Sequence, residues 1–89
     1  MGNEINNTLE QRGSVYGDFG VQRETVGSII EVMKAAYVSN NQIYPTKELM
    51  AEWGYLAIKL ARIATNPNHS DSYHDLAGYA ILMEKERIK

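Results

Sequence analysis

The chain has 89 residues, nine Lys and Arg against eleven Asp and Glu, and no cysteine. That length holds one domain, residues 1–89, whose small core wants outside support. Disulfides and Cys-based zinc are excluded, and a net charge of −2 gives no bulk attraction to duplex nucleic acid, so oligomerisation is the expected support.

The opening MGNEINNTLEQ lacks the basic start and apolar core of a signal peptide. No apolar run approaches the length that spans a bilayer. The expectation is a soluble, cytoplasmic protein with no membrane contact. Residues 1–7 are polar and read as a flexible tail. A short helix is predicted from Thr8 to about Arg12, stopped by Gly13. YGDFG, residues 16–20, has two glycines within four positions and reads as a loop. Tyr16, Asp18 and Phe19 could line a pocket there. The ordinary role is turn formation, with Asp18 capping the next helix.

From about Val21 to Ser39, Val26, Ile29, Ile30, Met33, Ala36 and Tyr37 recur at steps of three and four. That spacing predicts an amphipathic helix. SNNQIYP follows as a loop. After Pro45, Thr46 is a suitable N-cap for a second long helix, with Glu48 in its first turn. Leu49, Trp53, Leu56, Leu60 and Ile63 form its apolar stripe, widened by Met50, Ala57 and Ala64. It ends near Thr65, because Asn66 precedes a proline. A third long helix starts with Ser70 as N-cap and runs to about Arg87. Tyr73, Leu76, Ala77, Ala80, Met83 and Arg87 share one face. The predicted fold is all-α: three main helices plus the short N-terminal one, a helical bundle completed by oligomerisation.

The last helix has a second apolar side. Asp71, Asp75, Gly78 and Leu82 lie together, and Gly78 and Leu82 are poor residues for a wet surface. Gly78 in mid-helix suggests close approach of another backbone, either another subunit's or one within the chain.

Candidate chemistry sits on two helices. Glu52, Tyr55, Lys59 and Arg62 recur at steps of three and four. They form either a solvated face or a ligand face that offers Lys59 and Arg62 to phosphate or an acidic partner. Asp71 and Asp75, with Glu52, could hold Mg²⁺ through oxygen ligands, clamp a pyrophosphate and activate water. Asp71 is equally explained by the helix dipole. His69 and His74 are too few for zinc. His74 and Tyr79, on the last helix, complete the candidate ligand-binding set.

YGDF, AIKLARI and DSYHDLAGYAILME together resemble a family of small domains found mostly in bacteriophages and prophages. Its pattern is Tyr-Gly-Asp-Phe, then Lys-x-Ala-Arg-Ile, then Asp-Ser-Trp-x-Asp-Ile-Ala-Gly-Tyr-Ala, and Tyr73 stands at the Trp position. More distantly, the layout is similar to MazG-type nucleotide pyrophosphohydrolases, helical oligomers that bind Mg²⁺ through two carboxylate pairs. Tyr55 occupies the position of one of those glutamates, and Asp71 and Asp75 are one residue too widely spaced. The resemblance therefore implies a phage-encoded, non-catalytic binding protein in the host cytoplasm, without a cofactor. It would capture a nucleotide-like ligand or a host defence protein. The alternative it implies is a Mg²⁺-dependent pyrophosphohydrolase with a reduced acidic site.

Overall fold

The computed structural model describes residues 18–88, which fold into three α-helices with no strand among them. The helices are α1 (Phe19–Asn41), α2 (Lys47–Thr65) and α3 (Ser70–Arg87). The tail over residues 1–7, the short helix at Thr8–Arg12 and Tyr16 lie outside the described residues. No described helix is long and apolar enough to cross a membrane.

Local chemistry sets the helix ends. Asp18 accepts hydrogen bonds from the Gly20 and Val21 amides at 2.9 and 3.2 Å, so the capping role of Asp18 holds. This cap starts α1 two residues earlier than the apolar periodicity implied and takes Phe19 and Gly20 out of the expected loop. Thr46 caps α2 by accepting from the Leu49 amide at 3.1 Å. Two ends differ from expectation. Helix α1 runs on to Asn41 and closes through Gln42 at φ 63°, a left-handed position usually given to Gly or Asn. The N-cap of α3 is His69, with no side-chain capping bond, and Ser70 is already helical.

The packing is a single layer. Helix α2 lies in the middle and packs against both neighbours, while α1 and α3 scarcely meet. Helix α1 approaches along the small residues Gly54, Ala57 and Ala61. A Cβ built on Gly54 would lie 4.0 Å from Ile30 Cδ1, and the Gln22 side chain donates to Ala61 O and Thr65 Oγ1 at 3.4 and 2.8 Å. Tyr37 meets Trp53 edge-on at 5.8 Å between centroids. The buried apolar side chains of α2 are therefore Trp53, Ala57 and Ala61. Small residues won this contact because they let two helix axes come close. Of the apolar stripe expected as core, only Trp53 and the flanking Ala57 are buried. Leu49, Leu56 and Ile63 are half-buried and Leu60 is exposed.

The two outer helices are thinly anchored. No residue of α1 is buried; Val26, Ile29, Ile30, Met33 and Tyr37 are half-buried, and Val21 and Ala36 face solvent. In α3 only Ser72 is buried. Leu76, Tyr79 and Met83 are half-buried beside it, whereas Tyr73, Ala77 and Ala80 are exposed. At 100° per residue, α3 is turned about 60° from the orientation its apolar stripe predicts. Polar contacts of Asp75 and Arg87 with α2 hold it there.

Candidate functional site

Helices α2 and α3 run antiparallel, and their seam carries most of the candidate residues. Residues four apart share a helix face. Stepping from Tyr55 to Lys59 along α2 is matched by stepping back from Tyr79 to Asp75 along α3. Tyr55 and Tyr79 stack with centroids 5.2 Å apart and planes at 23°. Lys59 Nζ donates to Asp75 Oδ2 at 3.0 Å and lies 6.0 Å from the Tyr79 ring centroid. On the other side of the tyrosines, one turn from Tyr55 and two from Tyr79, Arg87 donates to both carboxylate oxygens of Glu52, at 3.0 and 2.7 Å. The same guanidinium also donates to Met83 O.

Three residues of the stripe Glu52, Tyr55, Lys59, Arg62 thus make the contact with α3, and Arg62 is half-buried beside them. Lys59 is buried although charged, and Tyr79 covers it. Tyr55 keeps about half its surface open, at 53 %. The Asp75 carboxyl is held below its ordinary range, first by the hydrogen bond from Lys59, then by the charges of Lys59, His74 and Arg62, with partial desolvation working the other way. Three basic side chains therefore act on one carboxylate. Glu52 is lowered in the same way, first by its hydrogen bonds from Arg87.

Both shifts have one sign. A carboxyl lowered in the fold contributes stability that is full above its unfolded value, about 4, and is lost as pH falls through the folded value. The urea midpoint should be level from about pH 7 to about pH 5 and fall below about pH 4. Replacing both groups, with Asp75→Asn and Glu52→Gln, should lower the neutral-pH midpoint and flatten the acid limb. An acid limb unchanged in that double variant would remove these pairs as its cause.

Over residues 3–87 the sequence matches the family described as Domain of unknown function (DUF6378). The chain belongs to this family. No curated protein and no solved structure matches it.

The fold of this family member brings Tyr55, Lys59, Arg62, Asp75 and Tyr79 to one seam, with His74 acting on Asp75 from the exposed side of α3. Asp18 is committed to its cap at the start of α1. The three proposed Mg²⁺ ligands are not brought together within one chain. Glu52 is taken by Arg87, Asp75 by Lys59, and Asp71 stands exposed in the first turn of α3. Among the described residues, no three of His, Asp and Glu group closely enough to hold a metal ion. Gly78 has nothing within 4 Å of a built Cβ, so among the described residues it meets no other helix's backbone. Arg87 falls on the apolar stripe of α3 in the sequence; its partner Glu52 lies 35 residues away on another helix, and no local pattern announces the pair.

Proposed function

We propose that this chain is a non-catalytic binding protein whose ligand face is the α2–α3 seam, and that the ligand is nucleotide-like. The observation that carries the reading is the stacked Tyr55–Tyr79 pair beside Lys59, Arg62 and His74. A flat base can lie on the open part of Tyr55, since aromatic faces accept any base. A phosphate can compete with Asp75 for the surrounding basic groups, as charge-assisted bonds to phosphate are strong. Capture without turnover suits a seam whose two carboxylates, Glu52 and Asp75, are engaged by Arg87 and Lys59. The resemblance to phage domains is what supports a phage origin, a host-cytoplasm setting and a counter-defence use, in which the protein withdraws a nucleotide from a host system.

Calorimetric titration of the purified chain with nucleoside triphosphates, with and without Mg²⁺, tests the proposal. Binding is expected without hydrolysis, and Tyr55→Ala should weaken it about tenfold or more, the usual worth of one base stack. No heat at millimolar nucleotide would sink the nucleotide reading and leave a host protein as the ligand class to try. Turnover that needs Mg²⁺ and disappears in Asp75→Ala would replace capture with hydrolysis.

A further inference from the structure

The apolar side of α2 that the fold leaves uncovered has a definite position. Trp53, Ala57 and Ala61 point at α1, as the Tyr37, Ile30 and Gln22 contacts show. Tyr55 and Lys59 point at α3. At 100° per residue, Leu49, Leu56, Leu60 and Ile63 fall together on one of the two sides between. That side is the strongest apolar stripe of the whole sequence, yet Leu60 is 40 % exposed and the other three are only half-buried.

We infer that this leucine side of α2 is the contact surface for a second copy of the chain, related by a two-fold axis. Stable domains bury their apolar faces between two layers, and the described residues form one. A layer three helices wide, at 8–10 Å between axes, and one 19-residue helix long presents roughly 700 Å². A stable interface takes about 800 Å² from each partner, so the face has the size a dimer needs. Its chemistry favours a like partner. The four side chains carry no charge, and the nearest acidic neighbour on this side, Glu52, is already neutralised by Arg87. A stripe without charges of its own, bordered by a neutralised pair, is recognised by apolar shape, as homodimer cores are. A two-fold axis lays the stripe against its own copy, and self-complementarity follows without further design. The ligand seam at Tyr55 and Arg62 lies on other sides of the same helix and stays open in such a dimer. This surface is also not the Gly78 and Leu82 side of α3 that the sequence suggested for a subunit contact.

Sedimentation velocity of the full chain, at micromolar concentration, should report twice the 10.0 kDa chain mass. Leu60→Glu sets two carboxylates face to face across the axis and should weaken association more than about a hundredfold. The chain has no cysteine, so Leu56→Cys and Leu60→Cys each create a single thiol. A short bis-maleimide should join two copies through these positions, a readout that does not depend on Leu60→Glu folding. Gly78→Ala should leave the mass unchanged. A folded wild-type monomer would overturn the inference. So would an associating wild type in which neither thiol cross-links, or one that Gly78→Ala dissociates and Leu60→Glu does not.

Discussion

Trp53→Ala is expected to lower stability by about 3–5 kcal/mol, the usual cost of truncating a buried tryptophan. A chain of this length has roughly 4–13 kcal/mol in all, so the loss takes a large share of it. The reason is how little else is buried. The other buried apolar side chains of the described residues are the small ones of Ala57, Ala61 and Pro45, which remove little area from water. Trp53 is the one large side chain in that group, and Tyr37 of α1 rests edge-on against it. Its loss opens a cavity and also frees the middle of α1, in which no residue is buried. Urea denaturation followed by far-ultraviolet circular dichroism measures the effect without the lost fluorophore. A midpoint close to wild type would mean that the α1–α2 contact does not govern the fold.

The helices themselves were legible because their punctuation is local. Thr46, Pro45 and the Asn66-Pro67 step bound α2 as expected, and Asp18 announces α1 through its cap. What escaped reading was rotation. In α2 the stripe centres on leucines with Ala57 at its flank, whereas α1 settles beyond that flank on Gly54, Ala57 and Ala61, because close approach rewards small side chains as much as transfer rewards large ones. In α3 the apolar stripe centred on Tyr73, Ala77 and Ala80 loses to a seam made by Tyr79, Asp75 and Ser72. There the stacking of two tyrosines and a charge-assisted hydrogen bond outrank the alanines, whose burial yields little. The candidate ligand residues of both long helices could be picked from spacing, but their pairing across the seam could not. Glu52 could equally have met Lys59 on its own helix; it meets Arg87 because α3 lies where it does.

Ala57→Leu is expected to cost about 1–3 kcal/mol, the range for forcing extra methylenes into a filled contact. Ala57 is fully enclosed, at 0 % exposure, on the side of α2 that faces α1. A leucine there acts as a wedge. It pushes α1 away from Gly54 and Ala61 and strains the hydrogen bonds from Gln22 to Ala61 and Thr65. The α2–α3 seam is on the far side of α2, with its own stack and ion pairs, and needs no help from α1. Stability and ligand binding should therefore separate. The urea midpoint of Ala57→Leu falls, while nucleotide affinity measured well below that midpoint stays within about threefold of wild type, under 1 kcal/mol. Tyr79→Ala should do the reverse at the site, since it removes half of the stack and the cover over Lys59. If Ala57→Leu instead lost binding as fully as Tyr79→Ala, the ligand face would have to include α1, and the seam alone would no longer account for it.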